Sequence, residues 1–266
     1  ATPGLEPNAI SFNAAMAACA KCGEWERTLE LFEQLRATPE LEPDVYSYSA
    51  TISACEKGGQ WECALELLDE LRAQGRERNV ITVSAAIAAC DKGAQWERAL
   101  ALLAELRARG LAPNVITYSA AISACAKGAQ WEHALALLGQ LREAELEPNA
   151  YTYTAAISAC GRGGQWGRAL ALLAEMRERG PAPNRYCYNA AVAACERGGQ
   201  WQHALALLDE MRAKPATAPD VIAPNAAAAA CESAGQAELA RGLVREALDH
   251  HDAGAAPAPR EGPPRS

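Results

Sequence analysis

Residues 115–149 read VITYSAAISACAKGAQWEHALALLGQLREAELEPN, and this stretch decides the fold. In its first half Tyr118, Ile122 and Cys125 fall four and three residues apart, which gives one buried stripe on a helix of about twelve residues. Gly128 then supplies a stop. The second half, QWEHALALLGQLRE, sets Trp131, Leu135, Leu138 and Leu141 on another apolar face before a polar stretch that ends in Pro148 and Asn149. The unit reads as a helical hairpin with short connections. Its apolar period near 3.6 and its wealth of Ala, Leu and Glu argue against strands.

Copies of this unit run along the whole chain. Cys19, Cys55, Cys90, Cys125, Cys160, Cys195 and Cys231 recur every 35 or 36 residues. Trp25, Trp61, Trp96, Trp131, Trp166 and Trp201 keep the same beat. Self-similarity of this kind is the mark of a stacked array in which each unit buries its apolar faces against its neighbours. Six full repeats are predicted, at 9–44, 45–79, 80–114, 115–149, 150–184 and 185–220. A degenerate seventh, 221–251, has Ala237 for the tryptophan, Ser233 for the base and Pro224 for the aromatic, and is expected to cap the stack. Residues 1–8 are expected to end an earlier repeat, because Pro7 and Asn8 reproduce the Pro148–Asn149 ending. The Pro-, Gly- and Ala-rich tail 252–266 is expected to be disordered.

Composition narrows the function classes. Half of the 266 residues are hydrophobic, chiefly Ala, Leu, Ile and Cys, which suits thin, closely packed layers. No stretch approaches the roughly 18 consecutive apolar residues of a membrane span, and ATPGLEPNAI lacks the basic start and apolar run of a secretory signal. The chain begins with Ala, so a processed or excised piece without its targeting segment is expected. Thiols on neighbouring repeats would stand about 10 Å apart, too far to share a zinc ion or a disulfide, so they read as small packing residues suited to a reducing compartment. Cys19 and Cys22 form a lone CxxC without a second pair. His133 and His203 recur without a recurring nucleophile or a convergent metal set, so no catalytic residue, cofactor or metal site is assigned.

With 25 Lys and Arg against 33 Asp and Glu, the net charge of −8 at first opposes a polyanionic ligand. Distribution changes this. The first fourteen residues of the six full repeats hold seven bases and three acids, so these layers carry +4 and everything else −12. Acids gather on second helices and loops, as in Glu62, Glu66, Asp69 and Glu70.

The 35-residue helix-turn-helix unit, its VITYSAAISACAKGAQWEHALALLGQLR body and its Pro-Asn ending resemble pentatricopeptide repeats, and the GGQWE and GAQWE wording is similar to that of algal organellar arrays. The 34-residue tetratricopeptide repeat fits less well. The resemblance implies an all-α, right-handed superhelical solenoid of stacked helical hairpins. It also implies single-stranded RNA as partner, with one base per repeat laid along the first helices. The fifth and last residues of each repeat would then choose the base together: Asn13 with Asp44, Ser49 with Asn79, Ser84 with Asn114, Ser119 with Asn149, Thr154 with Asn184, and Asn189 with Asp220. In the family's code Ser or Thr with Asn is similar to adenine readers and Asn with Asp to uracil readers, so the implied target is 5′-UAAAAU-3′. The second residues, Ile10, Tyr46, Ile81, Ile116, Tyr151, Tyr186 and Ile222, would sandwich the bases. Lys21, Lys57, Lys92, Lys127, Arg162 and Arg197 would contact phosphates. An organellar address, chloroplast more than mitochondrion, and RNA-processing partners are implied too; no membrane or homo-oligomer is.

Each role has a structural alternative. Asn and Asp before a helix are favoured N-caps whatever the protein binds. The fifth residues could face solvent, the second residues could be half-buried at repeat junctions, and the bases could serve helix C-termini. Repeats with Asn at the fifth position are also the two that end in Asp, but they share a length of 36 residues, so common ancestry explains both. A peptide-binding scaffold and a uniform array of little intrinsic affinity are the competing functions.

Overall fold

A computed structural model of the chain describes residues 8–75 and 79–254, with side chains to Glu246. All regular structure among these residues is helical. The hairpins are α1 (Ala9–Cys22) with α2 (Trp25–Ala37), α3 (Val45–Gly58) with α4 (Trp61–Ala73), α5 (Val80–Lys92) with α6 (Trp96–Ala108), and α7 (Val115–Lys127) with α8 (Trp131–Glu143). They continue as α9 (Ala150–Arg162) with α10 (Trp166–Arg179), α11 (Arg185–Arg197) with α12 (Trp201–Arg212), and α13 (Ile222–Ser233) with α14 (Ala237–Gly254). The chain divides into two compact units, Ala1–Ala159 and Cys160–Ser266, and the division falls within α9. In the first unit α1, α3, α5 and α7 pack side by side, each covered by its own second helix; in the second, α11 packs on α13.

Helix starts follow from the asparagine endings. Asn79, Asn114 and Asn149 each accept the N–H of the third residue of the next helix, Thr82, Thr117 and Thr152, at 2.8, 3.0 and 2.9 Å. Asp44 does the same for Ser47 at 2.8 Å. These bonds satisfy one of the orphan donors of the first turn. Asp220 departs from the expected pattern: α13 begins one residue late, at Ile222, and Asp220 accepts the Ile222 N–H at 3.0 Å. Proline is the cause. A helix starting at Val221 would put Pro224 where the first intrahelical N–H is needed, whereas starting at Ile222 puts it where none is used.

The predicted first-helix stripe is the core. Tyr118, Ile122 and Cys125 are buried, as are Tyr48, Ile52 and Cys55 two repeats earlier. On α8 the buried line runs through Ala134, Leu138 and Leu141, and Trp131 and Leu135 lie half-buried at its edge. The tryptophan column has a second duty, since a Cβ on Gly58, Gly93 or Gly128 would stand 2.4, 2.2 or 2.3 Å from Cδ1 of Trp25, Trp61 or Trp96 in the preceding repeat. His133 is accounted for similarly, its ring 5.6 Å from that of Trp96.

Helix α7 ends at Gly128 as expected, but the left-handed conformation that a glycine stop usually takes falls on the next residue. The φ of Gly128, −81°, suits any residue, and the left-handed residue is Ala129, at φ 55°. Ala94 repeats this strain at φ 55°, while the GGQW repeat puts Gly59 there at φ 72°. Replacing Ala94 and Ala129 by Gly is therefore expected to stabilise the chain by about 1 kcal/mol each. Urea unfolding measures it, and a lower midpoint for both variants would contradict the assignment.

At the end of the chain α14 runs through Gly254, three residues beyond the predicted repeat limit, so Asp252–Gly254 are helical rather than part of a disordered tail. The remainder of that tail, 255–266, and residues 1–7 of the expected preceding repeat lie outside the described residues.

Candidate nucleic-acid interface

The second residues of the first helices stand out of the surface. Ile10, Tyr46, Ile81, Ile116 and Tyr151 keep between 77% and 54% of their exposure in the first unit, and Tyr186 and Ile222 keep 68% and 52% in the second. Burial at repeat junctions does not occupy them. An exposed Ile or Tyr thus recurs at this position in repeats one to five of the first unit and again in repeats six and seven of the second. Each lies three residues before a fifth residue, on the same helical face.

Two of the expected pairs are in direct contact. In repeat one, the Asn13 amide donates to both oxygens of the Asp44 carboxylate, at 3.1 and 3.3 Å. The Ser47 hydroxyl lies 2.7 Å from Asn13 Oδ1. Burial opposes ionisation of Asp44, but hydrogen bonds from the Ser47 N–H and hydroxyl and the Asn13 amide outweigh it and hold the carboxyl below its ordinary value. In repeat six, inside the second unit, Asn189 donates to Asp220 at 3.2 Å. Arg185 stands 3.9 Å from the other Asp220 oxygen.

Serine repeats are joined differently. Ser49, Ser84 and Ser119 Oγ lie 2.7, 2.6 and 2.6 Å from the hydroxyls of Thr82, Thr117 and Thr152, the third residues of the following repeats. Those threonine hydroxyls in turn donate to Asn79, Asn114 and Asn149 Oδ1, at 2.8, 2.9 and 3.0 Å. Each fifth residue is thus tied to the last residue of its own repeat through a threonine that sequence reasoning passed over. The recurrence of Ser47, Thr82, Thr117 and Thr152 three residues after a cap was the available signal. Ser84 and Ser119 keep only 7% and 2% of their exposure, which rules out the reading of them as solvent-facing. Asn79, Asn114 and Asn149 are exposed beside them. Thr154, in the first unit, donates to the Ala150 carbonyl at 2.7 Å. Asn184, in the second, caps α11 by accepting the Cys187 N–H at 3.1 Å.

The regular bases reach backward. Lys57 Nζ donates to the Ala20 carbonyl at 2.6 Å, Lys92 to the Lys57 carbonyl at 3.2 Å, and Lys127 to the Asp91 carbonyl at 2.8 Å. Each ammonium therefore sits at the C-terminus of the preceding first helix, where the helix dipole favours a cation. Lys92 and Lys127 also neutralise two of the three acids of this layer, at 2.9 Å from Glu56 and 3.2 Å from Asp91. Lys21, Lys57, Lys92, Lys127, Arg162 and Arg197 all remain exposed.

Burial pushes the thiols of Cys90, Cys125, Cys160 and Cys195 up to about 11, which suits inert packing residues. Cys55 and Cys63, not foreseen as neighbours, have sulfurs 3.4 Å apart within one hairpin. Among the described residues no cluster of three or more His, Cys, Asp or Glu could hold a metal ion, and no helix is long and apolar enough to cross a membrane.

Tandem helical hairpins of one repeated pattern define an all-α helical-repeat protein. Residues 5–179 match the model of the pentacotripeptide-repeat region of PRORP, and residues 186–215 match the PPR repeat, so the chain belongs to the pentatricopeptide-repeat family. The maize pentatricopeptide repeat protein PPR10 is similar at 28% identity over 95% of this chain and 36% of its own, with a TM-score of 0.71. PPR10 in complex with an 18-nt psaJ RNA element is similar at 26% identity over 95% and 34%, with a TM-score of 0.65. The PPR domain of Arabidopsis thaliana protein-only RNase P 1, in complex with tRNA, shares the fold at 18% identity over 61% of this chain and 86% of its own, with a TM-score of 0.53. The present chain spans about a third of the length of the PPR10 chains. No curated protein sequence matches it.

Proposed function

We propose that this chain binds single-stranded RNA sequence-selectively, one base per repeat, with a preferred target near 5′-UAAAAU-3′. The observation that carries this is the joining of fifth to last residues, directly in repeats one and six and through threonine in repeats two to four. Residues 30 or 31 positions apart share a polar cluster on the helical face that carries an exposed Ile or Tyr, so a base held against those side chains would meet their donors and acceptors. PPR10, of which this chain covers a third, was solved on an RNA element, which supports the same ligand class. The carboxylates of Asp44 and Asp220 accept only, which suits the N3–H of uracil. Phosphates would meet the exposed bases Lys21, Lys57, Lys92 and Lys127 of the first unit and Arg162 and Arg197 of the second, and affinity would fall with salt. The protein would act as a block, stabiliser or guide in organellar RNA processing.

Competition binding tests the proposal. A labelled RNA containing UAAAAU is titrated against polyuridine, polycytidine and polyadenine RNA of equal length and against the DNA version, at two salt concentrations. Preference for UAAAAU, weakening with salt, is expected. Equal affinity for all competitors would overturn base reading, and tight binding to a peptide alone would favour a protein-binding scaffold.

A further inference from the structure

The threonines linking the polar pairs decide which way the hydroxyl protons run. Asn114 Oδ1 is identified as oxygen because it accepts the Thr117 N–H at 3.0 Å. Thr117 Oγ1 lies 2.9 Å from the same oxygen, so its single proton must point there, or two lone pairs would face each other. Thr117 Oγ1 then has only lone pairs left for Ser84 Oγ, 2.6 Å away, and Ser84 must be the donor. The same order holds in Ser49–Thr82–Asn79, at 2.7 and 2.8 Å, and in Ser119–Thr152–Asn149, at 2.6 and 3.0 Å. With its proton committed inward, each serine can offer a ligand only an acceptor. With Oδ1 held by two donors, each asparagine turns its amide N–H groups outward.

An acceptor beside a donor complements a base edge with an amino group next to an unprotonated ring nitrogen. Adenine and cytosine have that edge; uracil and guanine present the reverse. We infer that Thr82, Thr117 and Thr152, each from the following repeat, are positioning residues that set the base preference of repeats two, three and four by fixing the proton of the reading serine. This rests on the RNA-reading role proposed above. Repeat six shows what the absence of such a hydroxyl leaves. There the equivalent residue is Ala223, and Asn189 Oδ1, on a side chain keeping 7% exposure, is buried without a hydrogen-bond partner, whereas Asn13 Oδ1 has the Ser47 hydroxyl at 2.7 Å.

Thr117→Val and Thr82→Val keep shape and remove the hydroxyl, freeing Ser84 or Ser49 to donate. The probes are UAAAAU RNAs in which the second or third base is replaced by purine riboside, which lacks the adenine amino group, or by uracil. The unaltered chain is expected to bind each singly replaced RNA about tenfold more weakly than UAAAAU. Thr117→Val is expected to lose that discrimination at the third base alone and Thr82→Val at the second alone, with Thr117→Ser restoring it. Circular dichroism confirms folding, and the Thr82 arm repeats the test should Thr117→Val unfold. Valine variants that discriminate as the unaltered chain does would overturn the relay while leaving RNA reading intact. An unaltered chain blind to the amino group would overturn the underlying base-reading role, and the relay with it.

Discussion

Ser84→Asn combined with Asn114→Asp is expected to turn the third repeat from an adenine reader into a uracil reader. The pair copies repeat one, where the Asn13 amide holds the Asp44 carboxylate at 3.1 and 3.3 Å and the hydroxyl of Ser47, at the next repeat's third position, lies within reach of Asn13 Oδ1 and Asp44 Oδ1 and donates to one of them. Thr117 supplies the same hydroxyl in repeat three, so the transplanted pair finds its support in place. Chemically, an outward amide donor and a serine acceptor give way to a carboxylate that only accepts. Each matched edge is worth about 1–3 kcal/mol of discrimination, so a preference of about tenfold for adenine at the third base should become one of about tenfold for uracil. Equilibrium titration against two RNAs differing only at that base measures the change. An unchanged ratio would make Ser84 and Asn114 structural residues alone.

Gly93→Ala is expected to cost about 1–3 kcal/mol of stability although one methyl group is added to an ordinary backbone conformation. Gly93 has φ −79° and ψ 3°, so backbone strain contributes nothing. The cost comes from Trp61, whose Cδ1 would lie 2.2 Å from the new Cβ and whose ring is also held under the Arg98 guanidinium, 4.6 Å from its centroid. Displacing the indole loosens the junction of repeats two and three. Gly139→Ala, in the middle of α8 with open space around the added atom, is the control and should stabilise by about 1 kcal/mol. A double-mutant cycle with Trp61→Ala assigns the cause: without the indole, Gly93→Ala should cost almost nothing. Equal cost in both backgrounds would place the penalty elsewhere.

Much of this architecture is legible in a single chain. The regular return of Cys, Trp and a base announces the hairpins, the four- and three-residue spacing of Tyr118, Ile122 and Cys125 marks the buried stripe, and the Asn or Asp that ends each repeat marks the start of the first helices up to α11. These are local properties, governed by periodicity and capping within about one turn. Errors fall where a residue answers to another repeat. Gly128 looks like a conformational stop, but it is glycine because Trp96 covers it, and the left-handed strain falls on Ala129. The contact of the Lys57 ammonium with the Ala20 carbonyl, 37 residues back, is likewise invisible within its own repeat.

The sequence alone determined the repeat length, the helical class, the frame that separates Ser84–Asn114 from Ser119–Asn149, and the apolar second positions. Tertiary structure decided that those second residues stay exposed, that Ser84 and Ser119 are buried beside threonines, and that the hydroxyl protons run inward toward asparagine. The physical reason is distance along the chain. Capping and helical periodicity act over three or four residues, whereas Ser84 and Thr117 are 33 apart and meet only because stacked repeats place them 2.6 Å from one another.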